Sequence, residues 1–424
     1  MNDTYLHPRV ILVSTLKRLY DFGMTTTSGG NLSIKDDDGN IWITPSGIDK
    51  GTLRPEDVIM VTPDGREIGP HKPSCELPFH RSVYELRPDV RAVLHAHSPA
   101  LVAFSLVGRM PNTQLVPEVA AQCGKVAFAG YEVPGSEKLG KIIAAEFAAG
   151  ASSVIMENHG AVVCGTSIAQ AFARFEALDY MARMEINASN ISTLNDLQTV
   201  PAADCAGSFD PETVSPEECA LRDSLVQFSS RCYRQGLVFS GAGVLSARLT
   251  AHADDFLVTP AGFDPLLLTA DELVRVYNNK VQAGRTPSAL TAICRAIYQA
   301  HPEVNAIMIT RPPYFMAYAS AGLVMDSRTI PESYIQLRDI PLLKGADAAS
   351  PEVIARSIAP VNPVLMLENG GLLTTGASLI NAFDRLEVGE FTAKCLILAN
   401  RIGKPNPIAQ PQVDEIIDVF GLPR

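Results

Sequence analysis

The sequence predicts an α+β fold in two tandem domains, each layered around a largely antiparallel sheet. Three observations carry this. Helix-spaced apolar segments are interleaved with short β-rich runs, several runs meet at tight turns, and the chain matches itself at an offset of 211 to 215 residues.

Helical spacing covers Pro8 to Phe22, Glu76 to Leu86, Glu137 to Ala149 and Ser167 to Asn187. β-rich runs cover Asn31 to Ile34, Ile41 to Thr44, Val58 to Val61, Val90 to His95 and Ser153 to Met156. Asp38-Gly39-Asn40 and Pro63-Asp64-Gly65 are turn sequences that join antiparallel neighbours. The repeat sets the domain count. Ser28-Gly29-Gly30-Asn31-Leu32-Ser33 recurs as Gly241-Ala242-Gly243-Val244-Leu245-Ser246. Thr44-Pro45-Ser46-Gly47-Ile48-Asp49 recurs as Thr259-Pro260-Ala261-Gly262-Phe263-Asp264. Pro73-Ser74-Cys75-Glu76 recurs as Pro287-Ser288-Ala289-Leu290, and Met156-Glu157-Asn158-His159-Gly160 as Leu367-Glu368-Asn369-Gly370-Gly371. Between the copies, a stretch rich in Asn, Ser, Thr, Ala, Asp and Pro reads as a linker. The expected limits are 1–190 for the first domain, 191–212 for the linker and 213–424 for the second domain.

Composition narrows the function classes. A chain of 424 residues with 46% hydrophobic content can bury ample cores, yet no apolar run is long enough to span a bilayer. A net charge of -11 without a basic run argues against nucleic-acid binding. Eight scattered cysteines without a CxxC pair read as reduced thiols, with Cys164 and the others apart from Cys75 as core residues. Met1-Asn2-Asp3-Thr4 has neither a basic nor an apolar leader pattern, so a cytoplasmic enzyme without membrane attachment is the expectation.

The chemistry-bearing residues are concentrated in the first copy. On a strand, His95 and His97 face the same way, so both rings can reach one ion. With His159 they make three imidazoles and an open fourth position, the pattern of a catalytic metal site. The second copy has Ile309, Arg311 and Gly370 at these positions, so all three ligands are lost together while the framework stays. Ser74 reads as a helix N-cap with Glu76 in the first turn. A carboxylate there can complement the helix dipole or serve as an acid/base beside the ion. Its replacement by Leu290 favours the second role. Gly29-Gly30-Asn31 and Ser46-Gly47 can form an anion cradle from backbone N–H groups and side chains. In the second copy Asn31 becomes Val244 and Ser46 becomes Ala261, while the neighbouring glycines persist as Gly243 and Gly262. His80, one turn beyond Glu76, reads as structural, with no partner evident in the pattern.

In these residues the chain resembles the class II aldolase/adducin family and, within it, the fuculose-phosphate aldolases. The matching pieces are Ser28-Gly29-Gly30-Asn31-Leu32-Ser33, Thr44-Pro45-Ser46-Gly47, Lys72-Pro73-Ser74-Cys75-Glu76, His95-Ala96-His97-Ser98-Pro99 and Asn158-His159-Gly160. The resemblance implies αβα layering. It implies Zn2+, or another divalent cation such as Mn2+, on His95, His97 and His159, with Glu76 as acid/base. It places Gly30, Asn31, Ser46, Gly47, Ser74 and Cys75 around a substrate phosphate or other anion. Phosphate-binding members carry a second serine where this chain has Cys75, a poorer donor.

The implied activity is a metal-dependent aldolase cleaving a small sugar phosphate through a metal-stabilised enediolate. A decarboxylase of a hydroxy or keto sugar acid, or a pentulose-phosphate 4-epimerase, would use the same groups. A non-catalytic scaffold like the adducin heads fits the second copy, which reads as a pseudo-domain, but not the first. Single-domain relatives form four-fold rings. The resemblance therefore implies a homodimer acting as a pseudo-tetramer.

Overall fold

The computed structural model describes residues 6–189, 191–195, 205, 207–211, 213–249 and 254–424. The chain divides into two compact units, Met1–Thr113 with Val119–Arg183 and Gln114–Glu118 with Met184–Arg424.

The first unit contains α1 (Pro8–Asp21), β1 (Asn31–Lys35), β2 (Ile41–Ile43), β3 (Ile59–Val61), β4 (Glu67–Ile68), α2 (Leu77–Leu86), β5 (Ala92–Ala96) and α3 (Pro99–Leu106). The chain continues through α4 (Pro117–Cys123), β6 (Val126–Ala129), α5 (Glu137–Ala148), β7 (Ser153–Met156), β8 (Gly160–Gly165) and α6 (Ile168–Ala188). The strands form one sheet in the order β4-β3-β2-β1-β5-β8-β7-β6, and only β6 and β7 are parallel. One face of this sheet, including Ile43, Val93, Val154 and Val162, packs on Phe79 and Val83 of α2 and on Ile143 and Phe147 of α5. The other face, with Leu32, Leu94, Ile155 and Val163, is buried too. Central strands covered on both sides lose the apolar–polar alternation, which is why β5 is buried along its whole length. Helix α5 crosses α2 at Gly140, where a Cβ would lie 3.3 Å from the Phe79 backbone.

The second unit repeats this plan. Its elements are β9 (Ser208–Phe209), α7 (Pro216–Arg234), β10 (Val244–Arg248), β11 (Asp255–Val258), β12 (Val274–Tyr277), β13 (Lys280–Gln282), α8 (Thr291–Ala300) and β14 (Ala306–Thr310). They continue with α9 (Pro313–Ser320), α10 (Pro331–Leu337), β15 (Leu342–Leu343), α11 (Pro351–Ser357), β16 (Val364–Leu367), β17 (Gly371–Gly376), α12 (Leu379–Ile402) and α13 (Gln410–Phe420). The sheet order β13-β12-β11-β10-β14-β17-β16-β15 matches the first sheet strand for strand, with β9 added in parallel beside β13. Part of the segment read as linker is therefore strand, because Ser208 and Phe209 find free edge groups on Val281 and Gln282.

Phe147 is fully buried at the α5–sheet contact. Phe147→Ala should cost about 3–5 kcal/mol of stability, the range for emptying a buried aromatic site. Urea unfolding with an unchanged midpoint would contradict this packing.

Candidate metal centre and acid/base site

His95 is the fourth residue of β5, and His97 is the first residue beyond the strand. Val93 and His95 share the face that packs on α2, and the Phe79 ring meets His95 edge-on at 6.0 Å. His159 comes from the tight β7–β8 turn, where Asn158 takes a left-handed φ of 55°. The next residue, Gly160, tolerates no side chain. A Cβ would sit 2.8 Å from the Ala96 carbonyl and 3.1 Å from the His97 ring. That close approach brings the start of β8 against the end of β5. The three histidines offer nitrogens that all lie within 4.8 Å of one another, and His95 Nε2 and His97 Nε2 are 2.8 Å apart. Nitrogens on a tetrahedral zinc lie about 3.3 Å apart, given ligand distances of roughly 2.0–2.1 Å.

The donor set fits a divalent cation. His95 Nδ1 donates to the Ala161 carbonyl at 2.9 Å, leaving a lone pair on Nε2 facing inward. Glu76 Oε2 lies 3.3 Å from that nitrogen, and Glu76 Oε1 lies 3.5 Å from His159 Nε2. Glu76 is buried, and its Oε1 has no hydrogen-bond partner. Electron-rich atoms converging in this way are an environment for a cation. Burial, reinforced by the other rings, lowers the pKa of His95 and of His97 to about 3, so both rings are neutral.

Glu76 is itself the N-cap residue of α2, and its side chain does not cap the helix. This corrects the expectation that Ser74 caps and Glu76 lies in the first turn. Ser74 Oγ instead accepts the Glu76 N–H at 3.2 Å, leaving the carboxylate to turn toward the histidines. Asn31 Nδ2 donates to Glu76 Oε2 at 2.6 Å. Asn31, expected in the anion cradle, thus has its amide directed at the Glu76 carboxylate. Its Oδ1 meets His80 Nε2 at 2.6 Å, and His80 Nδ1 meets Ser33 Oγ at 2.7 Å. Tyr84 Oη lies 2.7 Å from Ser33 Oγ. His80 therefore has two partners, against the expectation of none. Its spacing from Glu76 on one helix face was the available signal.

The other cradle residues are brought together by an antiparallel bridge between Pro45 and Pro73. Ser46 N–H donates to the Lys72 carbonyl at 3.0 Å, and Ser74 N–H to the Thr44 carbonyl at 3.2 Å. Ser46, Gly47 and Cys75 are exposed, and Ser74 is buried. Gly47 has a left-handed φ of 70° with open space around it, whereas Gly30 packs against the His95 carbonyl. Sequence reading missed Lys50. It is buried beside this turn, with Nζ donating to the Pro45 carbonyl at 2.8 Å, and burial lowers its pKa. Its counterpart, Pro265, was the available signal. All eight cysteines are free thiols; Cys123, Cys164, Cys232 and Cys294 are in the core, but Cys205 and Cys395 are only half-buried and Cys219, like Cys75, is exposed.

The sequence profile of the Class II Aldolase and Adducin N-terminal domain matches residues 11–186 and again 223–397. The chain belongs to the class II aldolase and adducin family. It is 35% identical over 166 residues to a 3-oxo-tetronate 4-phosphate decarboxylase of Escherichia coli O6:H1, covering 78% of that enzyme and 38% of this chain. It is 32% identical over 180 residues to an L-fuculose phosphate aldolase of Methanococcus maripaludis, covering 96% of that enzyme and 42% of this chain. A 5-deoxy-D-ribulose 1-phosphate aldolase of Bacillus thuringiensis serovar kurstaki is 32% identical over 183 residues, with 84% of it and 42% of this chain covered. The chain is an enzyme of the class II aldolase type. No helix among the described residues is long and apolar enough to cross a membrane.

The second family domain keeps the scaffold of the site, with Ser288 at the Ser74 position, but has Ile309, Arg311, Gly370 and Leu290 where the first has His95, His97, His159 and Glu76. The bridge recurs as Pro260 with Pro287, and Val244 faces Ile309 as Asn31 faces His95. Among the described residues, the three histidines are the one metal-competent grouping of His, Cys, Asp or Glu.

His95 and His97 titrate near 6.5 when unfolded and near 3 when folded, and burial holds His80 well below 6.5 as well. Between those values the unfolded chain binds more protons, so their contribution to stability is complete above pH 6.5 and is lost as pH falls toward 3. The Tm of metal-free protein should fall from pH 7 to pH 5, less steeply in His95→Gln. Equal slopes in the two proteins would contradict this account.

Proposed function

We propose that the first domain is a divalent-metal-dependent aldolase that cleaves a carbon–carbon bond of a small sugar phosphate through an enediolate. One observation carries the reading. The Glu76 carboxylate is tethered at Oε2 by Asn31 and lies beside three converging imidazoles, with Oε1 unbonded. An ion on those imidazoles would supply Lewis-acid stabilisation of the negative charge that develops on substrate oxygens. Glu76 takes up the proton that the substrate hydroxyl loses on cleavage and delivers it to the enediolate carbon, and both transfers run backwards in the reverse direction. The Ser46–Gly47 turn, Ser74 and Cys75 receive the phosphate. Lys50 supplies the positive charge that compensates for a thiol in place of a second hydroxyl.

A specific observation favours a second reading, decarboxylation of a phosphorylated 3-oxo acid. The relative at 35% identity carries that name, and loss of carbon dioxide leaves the same kind of charge. Zinc is the ion we propose. Residues 1–190 would form the catalytic domain, 191–212 the linker and 213–424 a pseudo-domain. Two chains would assemble as a pseudo-tetramer in the cytoplasm.

The test is to supply zinc-loaded protein with L-fuculose 1-phosphate, 5-deoxy-D-ribulose 1-phosphate and 3-oxo-tetronate 4-phosphate, reading aldehyde and carbon dioxide release. Aldehyde release supports the aldolase, carbon dioxide release the decarboxylase, and inertness toward all three contradicts both. With the active substrate, Glu76→Gln should lower kcat by about 10²–10⁴-fold, with metal content retained. Lys50→Met should raise KM by about 10–100-fold, the weight of one hydrogen bond to a charged group, with kcat nearly unchanged. Normal turnover by Glu76→Gln would return it to a helix-start carboxylate.

A further inference from the structure

The hydrogen bonds leading from the sheet interior to Glu76 have only one consistent direction. A carboxylate only accepts, so Asn31 turns Nδ2 toward Glu76. Its Oδ1 then faces His80 Nε2, which must carry the hydrogen. Burial keeps the His80 ring neutral, so Nδ1 is bare and takes the Ser33 hydroxyl hydrogen. Ser33 Oγ in turn accepts from Tyr84 Oη. Phe79 stacks on the His80 ring at 4.3 Å and 20°, fixing its plane. His80 and Ser33 are fully buried, and Tyr84, Asn31 and Glu76 nearly so.

The second domain separates the structural part of this chain from the rest. Its α8 places Cys294 at the His80 position and Tyr298 at the Tyr84 position. Tyr298 Oη still donates to Ser246 Oγ at 3.0 Å, and Cys294 is fully buried. Asn31, Glu76 and His80 are replaced together by Val244, Leu290 and Cys294. The fold packs well without an imidazole here. The histidine disappears with the carboxylate, not with the tyrosine and serine.

We infer that His80 is a positioning residue of the active site, whose Nε2–H fixes the Asn31 amide so that Asn31 presents its N–H to Glu76. Without it, the amide is free to turn over and set Oδ1 against the carboxylate. The inference rests on the reading of Glu76 as the acid/base, and its test separates the two.

In zinc-loaded, full-length protein carrying isotope-labelled histidine, nitrogen NMR reports each ring's tautomer. The ring identified as His80 by its loss in His80→Gln should be neutral and protonated on Nε2 at pH 7. An Nδ1–H tautomer or an imidazolium would overturn the inference whether or not a substrate is known. With whichever of the three sugar phosphates is turned over, His80→Leu should lower kcat by about 10–100-fold, the usual effect of removing a group behind the first layer of a metal site. KM and zinc content should hold. His80→Gln, which can still donate to Asn31, should recover most of the rate. In a Glu76→Gln background, His80→Leu should cost nothing further. Wild-type kcat in His80→Leu, or equal losses in the Leu and Gln variants, would overturn the assignment. Inertness of the unmodified protein toward all three compounds would defeat the aldolase reading, and the tautomer would still decide where the His80 proton sits.

Discussion

Asn31 and His95 stand directly opposite each other on β1 and β5, and the rest of the site hangs on that register. A slip of one residue in either strand would turn its side chain to the opposite face of the sheet from the other. Held in register, they put an amide and an imidazole side by side beneath the start of α2, where Glu76 reaches both. The second constraint is the close approach of β8 to the end of β5 at Gly160, which delivers His159 to the same place. Imidazoles from a strand, the residue after it and a neighbouring turn thus converge on one place.

The second domain is an internal control on what the fold itself requires. It keeps the sheet order, the bridge at Pro260 and Pro287, left-handed Asn369, and the glycines at positions 243 and 371 that pack against β14. Those features follow from close backbone packing, where a side chain would collide. It has none of the three histidines, nor Glu76, Asn31, His80 and Lys50, and burial of His95, Glu76, Asn31, His80 and Lys50 in the first domain is costly unless each finds a partner. Leu290, Val244 and Ile309 replace three of these groups with apolar ones, whereas Arg311, at the His97 position, is fully buried and paired with Glu118.

Much of this was legible in the sequence. The helices at Pro8, Glu76 and Glu137 have amphipathic spacing that packing preserves, and the observed ends differ by a residue or so. The histidines were recognisable because the repeat supplies a second copy without them. Less legible was anything that depends on side-chain direction. Ser74 and Glu76 together look like a cap and a first-turn acid, yet the carboxylate turns toward the imidazoles and becomes the cap position without capping. Asn31 reads as an anion donor by type, but its partners are 45 and 49 residues away in sequence. Strand β6 is an edge strand of four apolar residues that alternate only in burial, and β8 lacks alternation because both its faces are covered. Ser208 and Phe209 have no strand signal beyond the free edge they join.

The central claim is that one domain holds the ion and its twin does not. Anomalous diffraction at the zinc edge, from crystals of the zinc-loaded protein, tests it most directly. The account predicts a single strong peak per chain, bounded by the imidazoles of His95, His97 and His159. A peak beside Ile309 and Arg311, or none among the three histidines, would contradict it.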